Sequence, residues 1–139
     1  MQYNWQEHFN KVSILFHLKN VNCICELAIG IELLLKSISG ENNTELYLLI
    51  DTYLDNFQYK DEIHYIREKY NSYKHSNGIN SLDQEIDELY KFEARYIIPT
   101  NKMLAFISEQ YDYNIHYQIV LYAEVTVSIF QHLSDLTAR

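Results

Sequence analysis

The chain has few of the residues that interrupt regular secondary structure. Among its 139 residues, Gly occurs 3 times and Pro once. Such sparse turn residues argue against a β-sandwich, which needs many tight turns, and favour long helices. Hydrophobic residues make up 47 % of the chain, which is enough for a core without disulfides or metals. We therefore expect a single domain over residues 1–139.

Long apolar runs are also missing. No stretch approaches the roughly 18 apolar residues that would suggest a membrane span. The polar start of the chain, Met1 to Glu7, does not have the composition of a signal peptide. These absences lead us to expect a cytoplasmic protein that has no contact with a membrane.

Cysteine is scarce as well. The only two cysteines, Cys23 and Cys25, are two residues apart and would point to different sides of a helix. They are poorly placed to bridge each other and lack partners for a zinc site, so we expect small apolar residues in a reducing compartment. The sequence also has no Gly-rich phosphate loop, no His-Glu-x-x-His and no serine nucleophile elbow. We expect neither a metal nor a cofactor.

Positive charge is in deficit, with a formal net charge of -8. A protein that follows a nucleic-acid backbone over a long distance needs a broad basic surface. Any contact of this chain with RNA must therefore be local, or shared with a second subunit.

The hydrophobic residues that are present recur at helical spacing. They predict a first helix over about residues 3–18, a second that Asn20 or Asn22 caps and Gly40 ends, a third from about Thr44 and a fourth from about Lys60 to His75. Their inward stripes are Trp5, Phe9, Val12 and Phe16; Ile24, Leu27, Ala28, Ile31, Leu34, Leu35 and Ile38; Leu46, Leu49, Ile50, Tyr53 and Phe57; and Ile63, Ile66, Tyr70 and Tyr73.

The second half of the chain continues the helical pattern. Ser81, with Gln84 three residues later, is a capping-box signature for a fifth helix, which we expect Pro99 to terminate. Thr100 or Asn101 would cap a short sixth helix. The last segment, 115–136, carries a helical stripe but contains a strand-like alternation, and we predict a long helix there. The fold class is all-α, a bundle of about five to six helices.

One stretch of the fourth helix combines side chains that suit phosphate and proton chemistry. If this helix continues to His75, then Arg67, Asn71 and His75 lie four residues apart along one face, with Lys74 nearby. Arg can hold phosphate oxygens with two hydrogen bonds, and an imidazole can move a proton to or from a ribose hydroxyl. The alternative is a helix C-terminus whose cations only complement the helix dipole.

A second titratable pair lies earlier in the same helix. Asp61 and His64 are three residues apart, as in one half of a di-iron carboxylate site. Such a site needs two Glu-x-x-His pairs, and none occurs in the sequence. We therefore set a di-iron centre aside.

The order of these features resembles the HEPN superfamily, the higher eukaryotes and prokaryotes nucleotide-binding domains. The apolar helix Glu26–Lys36 precedes a helix that ends in Asn71-x-x-x-His75 and a Ser/Gly loop, and the likeness covers residues 21–78. Members of that superfamily are all-α bundles of four or five helices. Many are dimeric ribonucleases of toxin–antitoxin and antiviral systems, and others are not catalytic. Their active motif is an Arg, usually followed by a polar residue, and then a His after four to six residues.

The resemblance implies roles for six residues, all at the end of the fourth helix. His75 would be the catalytic acid or base, Asn71 would orient the phosphate, and Arg67 would hold it as the third catalytic residue. Lys69, Lys74 and Tyr70 would contact the substrate, with Lys69 as the other candidate to hold the phosphate. The motif is not complete, because Tyr70 stands at the position of the Arg and seven residues separate Arg67 from His75.

Two functions follow from the resemblance. The first is a metal-independent endoribonuclease in a toxin–antitoxin or antiviral defence context, acting as a homodimer on an RNA substrate. The second is a non-catalytic binding or regulatory module of the same fold, whose partner is a protein such as an antitoxin or another defence component. Tyr70 at the position of the Arg favours the second function. The spacing of Arg67, Asn71 and His75 along one face of the fourth helix favours the first.

Overall fold

A computed structural model describes residues 4–75 and 89–115, and the regular elements in these ranges are all helical. They are α1 (Trp5–His17), α2 (Asn22–Ser39), α3 (Leu46–Tyr53), α4 (Lys60–His75), α5 (Leu89–Phe92), a π-helical turn (Glu93–Ile97) and α6 (Ile98–Gln110). The prediction of an all-α helical bundle is confirmed. In these two ranges, no helix combines the length and the apolar composition that crossing a bilayer requires. The predicted loop at 76–78, the Ser81–Gln84 capping box and the segment from 116 to 136 lie outside the described residues.

The helices form because their apolar stripes meet in one core, with α2 at its centre. Helices α1 and α2 pair as a hairpin, and α2 also packs against α3 and α4. The predicted stripes supply most of the buried side chains: Trp5, Phe9, Val12 and Phe16 on α1; Ile24, Leu27, Ala28, Ile31, Leu34 and Leu35 on α2; Leu49 and Ile50 on α3; and Ile63, Ile66 and Tyr73 on α4. Phe57 is also buried, but it lies in the connection after α3 rather than in the helix.

The predicted end of α2 at Gly40 is confirmed, whereas the residue at its N-cap is Val21 rather than Asn20 or Asn22, and Val21 makes no side-chain cap hydrogen bond. The side chain of Asn20 accepts a hydrogen bond from the backbone N–H of Asn22, at 2.9 Å, at the start of α2. Gly40 ends α2 in the left-handed region with φ 73°, and its N–H donates to the carbonyl of Lys36. One feature was not expected. Lys19 takes the left-handed position (φ 52°) in the turn after α1, where glycine is the usual residue.

The prediction that Pro99 ends a helix is wrong. Helical backbone runs from residue 89 to residue 110, and Pro99 lies in the first turn of α6. Proline lacks an N–H and clashes with the carbonyl four residues earlier. The turn before Pro99 is a π-helical turn, in which the N–H of Ile98 donates to the carbonyl of Glu93, five residues back. The wider turn explains how the chain accepts proline without ending the helix.

Thr100 and Asn101 accordingly do not cap a new helix. Both are buried, and both side chains bond to carbonyls of the preceding turn. The Thr100 hydroxyl donates to the carbonyl of Tyr96 at 2.6 Å, and the Asn101 amide donates to the carbonyl of Ile97 at 3.1 Å. Short polar side chains with this pattern belong to a helix interior.

Gly30 marks a place where α2 packs closely against α1 in the hairpin. A Cβ atom placed on Gly30 would lie 2.6 Å from Cδ1 of Phe9. Real Cβ atoms do not tolerate such a distance, and Phe9 is fully buried, so its ring has little room to move. Glycine in the middle of α2 is therefore explained by packing, although it costs about 1 kcal/mol of helix propensity relative to alanine.

We expect Gly30→Ala to lower the free energy of unfolding by up to about 2 kcal/mol. The gain in helix propensity is about 1 kcal/mol, whereas overpacking a well-filled core costs about 1–3 kcal/mol. Urea unfolding of the wild type, Gly30→Ala, Phe9→Leu and the double variant measures this. Because Phe9→Leu removes the ring that clashes, Gly30→Ala should cost less in that background. An increase in stability from Gly30→Ala alone would contradict the proposed close contact.

Candidate functional site

Helix α4 is continuous from Lys60 to His75. The predicted alignment of Arg67, Asn71 and His75 along one face requires this continuity. Its inner face consists of Ile63, Ile66 and Tyr73, which are buried in the core. Arg67 and Asn71 lie on a neighbouring flank of the same helix. His75 follows one turn beyond Asn71, a rise of about 6 Å along the helix axis.

Four of the six predicted site residues meet in one cavity, which we call the α2–α4 pocket. Its volume is about 310 Å³. Helix α4 contributes the four predicted residues, α2 contributes one wall, and the start of α3 contributes the other. The lining consists of Ala28, Ile29, Glu32, Glu45, Leu46, Tyr47, Arg67, Tyr70, Asn71 and Lys74.

The charges in the α2–α4 pocket are mixed. Arg67 and Lys74 are cationic, and the carboxylates of Glu32 and Glu45 face the same space. Lys36, which lies outside the lining, is 3.7 Å from Glu32 and offsets part of its charge. The pocket can therefore offer donors to an anion and acceptors to hydroxyl or amino groups at the same time.

Tyr70 is one of the aromatic residues that line the pocket. The ammonium of Lys74 lies 5.3 Å from the centre of its ring, within the range of a cation–π contact. Burial, with a smaller contribution from nearby acidic groups, raises the pKa of Tyr70 above its ordinary value. The hydroxyl therefore stays protonated at neutral pH and can donate a hydrogen bond.

The other two predicted residues are not in the lining of this pocket. His75 is exposed in the last turn of α4. Lys69 lies on the opposite flank of the helix, where its ammonium is 5.8 Å from the ring centre of Tyr65. Arg95 approaches the same ring at 5.6 Å and donates to the Tyr65 hydroxyl at 3.3 Å. Arg67 and Lys69 thus face different sides of α4.

A hydrogen-bonded network on the outer side of Arg67 was not predicted. His64 Nε2 lies 2.9 Å from Oδ1 of Asp51 on α3, and Nε of Arg67 donates to His64 Nδ1 at 3.2 Å. Lys60 adds an ion pair to Asp51 at 3.3 Å. These residues border a shallow α3–α4 cleft of about 640 Å³, whose lining is Tyr47, Asp51, Asp61, His64, Arg67 and Glu68. Arg67 therefore stands between the cleft and the α2–α4 pocket.

The sequence contained a signal for this network, but it is a weak one. Spacing along the sequence relates His64 to Asp61 on its own helix, whereas its hydrogen-bond partner is Asp51, thirteen positions earlier. A short connection between α3 and α4 makes neighbours of the two helices, and a search for opposite-sign pairs across that turn finds Asp51 and His64. In residues 4–75 and 89–115, no cluster of three or more His, Cys, Asp or Glu side chains is placed to hold a metal ion.

The cysteines are free thiols, as predicted, with Cys23 buried and Cys25 half-buried. Burial raises the pKa of Cys23 to about 12 and also raises the pKa of Cys25. Neither thiol has the low pKa of a nucleophile.

Comparison of the chain with protein-family models, with curated proteins and with solved structures gave no match.

The Asp51–His64 contact predicts a change in the pH dependence of stability. The hydrogen bond from His64, helped by Lys60, holds the pKa of Asp51 below its ordinary value. A carboxyl group with a lowered folded pKa stabilises the fold above its unfolded pKa of about 4, and this contribution is lost as the pH falls through the folded pKa. We therefore expect Asp51→Asn to melt slightly below the wild type at neutral pH, and this small difference in melting temperature to narrow below about pH 4.

Thermal melts by circular dichroism between neutral and acidic pH check this prediction. Glu41→Gln, which removes an exposed carboxylate from the α2–α3 connection, serves as the control for loss of charge alone. If the difference in melting temperature between Asp51→Asn and the wild type stayed constant across the whole pH range, the result would show that Asp51 has no folded-state partner.

Proposed function

We propose that this protein is a metal-independent endoribonuclease of the HEPN type, which binds one nucleotide unit of RNA in the α2–α4 pocket. The observation that carries the proposal is the convergence of Arg67, Asn71 and Lys74 on one cavity. These residues offer a guanidinium, an amide and an ammonium to a single phosphate. The all-helical fold agrees with the resemblance, but a helical fold alone does not establish a function.

The mixed lining supports a nucleotide rather than an inorganic anion as the ligand. A bare phosphate has no use for the carboxylates of Glu32 and Glu45, which repel it. The hydroxyl groups of a ribose and the amino groups of a base are donors, and carboxylates accept from them. Tyr47 and Tyr70 add aromatic surface in the same cavity, and bases stack on such rings.

Local binding of this kind is compatible with the acidic chain. With a net charge of -8, the protein is a poor match for a long stretch of phosphate backbone. A pocket for one nucleotide needs only the two cations Arg67 and Lys74. Specificity for RNA would then come from contacts to the ribose 2′-hydroxyl and to an unstacked base.

The proposed chemistry is transesterification, and it uses no metal. The ribose 2′-oxygen attacks the neighbouring phosphorus, and the bond from phosphorus to the 5′-oxygen breaks. His75 accepts the proton of the 2′-hydroxyl or donates one to the departing 5′-oxygen, while Arg67 stabilises the charge on the phosphate. The products are a 2′,3′-cyclic phosphate and a 5′-hydroxyl. A strand that leaves the pocket toward the C-terminal end of α4 passes His75.

The first test is cleavage of end-labelled tRNA in the presence of EDTA by the wild type and by His75→Ala. Loss of a general acid or base lowers rates by about 10²–10⁴-fold, and we expect a loss in that range. His17→Ala is the matched control, because His17 is also an exposed histidine at the last position of its helix. Equal cleavage by His75→Ala and the wild type would exclude the role of His75.

A second candidate function is a non-catalytic module that acts through protein contacts. Ile14 on α1 and Leu18 at the C-cap of this helix are 61 % and 70 % exposed, and an apolar patch that includes both would offer a contact surface. The simplest partner is a second copy of the chain, as the resemblance implies. Absence of cleavage by the wild type, together with a dimer in sedimentation that Ile14→Asn and Leu18→Asn dissociate, would favour this function.

A further inference from the structure

We propose that His64 is a positioning residue, which Asp51 orients and which holds the guanidinium of Arg67 at the α2–α4 pocket until His64 becomes protonated. The inference rests on the proposed function, because it assumes that Arg67 binds the phosphate of the ligand. It adds a second histidine to the site and makes binding depend on pH through a group that does not touch the RNA.

The two side-chain contacts of His64 fit one tautomer of the neutral imidazole. The carboxylate of Asp51 can only accept, so His64 Nε2, 2.9 Å away, must carry a hydrogen. Arg67 Nε can only donate, so His64 Nδ1, at 3.2 Å, must present a lone pair. Both contacts are satisfied only by a neutral imidazole with its proton on Nε2.

The hydrogen bond to His64 restricts the side-chain conformation of Arg67. A free arginine side chain samples many rotamers, and a bond at Nε fixes the plane of the guanidinium together with its direction. The remaining contact of Arg67 on this side is a 3.4 Å bond from Nη2 to Glu68, whose side chain is 66 % exposed. Since Arg67 also lines the α2–α4 pocket, its guanidinium is held at the boundary between the two cavities.

Stability does not explain the network well. Asp51 is 49 % exposed and lies at the edge of the open α3–α4 cleft. Ion pairs and hydrogen bonds at such positions contribute little to the free energy of unfolding, because water competes for each partner. Orientation of Arg67 is an effect that does not require burial.

Protonation of His64 would reverse its effect on Arg67. An imidazolium has two N–H donors and no acceptor, so the bond from Arg67 Nε is lost and two cations face each other. The charged groups around His64 are Asp51 from α3 and, on its own helix, Lys60, Asp61, Arg67 and Glu68. Asp51 accepts from both forms of His64, so the pair with Asp51 survives while the contact with Arg67 does not.

The test measures binding of a short oligouridylate by fluorescence anisotropy between about pH 5 and about pH 8, the range in which histidine titrates. All proteins carry His75→Ala, which prevents cleavage and removes the other histidine of the proposed site. In this background, we expect affinity to fall as the pH is lowered. His64→Leu should bind about tenfold more weakly at about pH 8 and show no such pH dependence.

His64→Asn separates positioning from a structural role. An Asn side-chain oxygen can replace Nδ1 as the acceptor for Arg67, but it does not gain a charge in acid. We expect this variant to keep most of the affinity at about pH 8 and to lose the pH dependence. Melting temperatures of the variants confirm that each is folded.

Two negative results have different meanings. If Arg67→Ala abolishes binding while His64→Leu and His64→Asn bind like their parent at every pH, the positioning role is overturned and the proposed RNA site stands. If the parent protein does not bind the oligouridylate at any pH, both the RNA site and the positioning role are overturned.

Discussion

Burial of one face of α4 in the core that α2 centres is the constraint on which the candidate site depends. Ile63, Ile66 and Tyr73 must face the core, so the rotation of the helix about its axis is determined. Every other side chain of α4 then has an assigned direction. Arg67 and Lys69, two residues apart, differ by about 200° around the axis, so one faces the α2–α4 pocket and the other faces Tyr65 and Arg95.

The periodic parts of the fold could be predicted because they are local. A stripe of apolar residues indicates both the type of element and its buried face. The stripes of α1, α2 and α4 are buried as expected, except that Ile38 and Tyr70 are only half-buried and Tyr70 lines the α2–α4 pocket. The end of α2 could also be predicted, because glycine is the usual residue at a left-handed helix end and Gly40 occupies that position. Positions where a residue occurs against its usual structural preference could not be predicted from local patterns. Lys19 occupies a left-handed position that usually indicates glycine, and Pro99 lies within a helix because a π-helical turn precedes it.

The candidate site shows the same division between local and distant information. Spacing along α4 was sufficient to bring Arg67, Asn71 and Lys74 to one cavity, since all three belong to one helix. The acidic part of the pocket comes from Glu32 and Glu45 on other elements, and no helical periodicity relates them to α4. The partner of His64 was missed for the same reason, because Asp51 belongs to α3. Contacts between helices require the tertiary arrangement, which the sequence pattern alone does not specify.

A protein with a net charge of -8 can bind a polyanion only if its few cations are placed against a small target. In the proposed site, Arg67 would meet this requirement, since it borders the α2–α4 pocket of mixed charge on one side and a histidine on the other. Glu68 is the acid that most directly competes for its guanidinium, and that contact is long and exposed to water. In the proposed arrangement, a bond to a neutral His64 would direct Arg67 without neutralising it, whereas a carboxylate in the place of His64 would consume the charge that a phosphate needs. Orientation by a neutral acceptor is therefore the arrangement that keeps a cation available in an acidic protein.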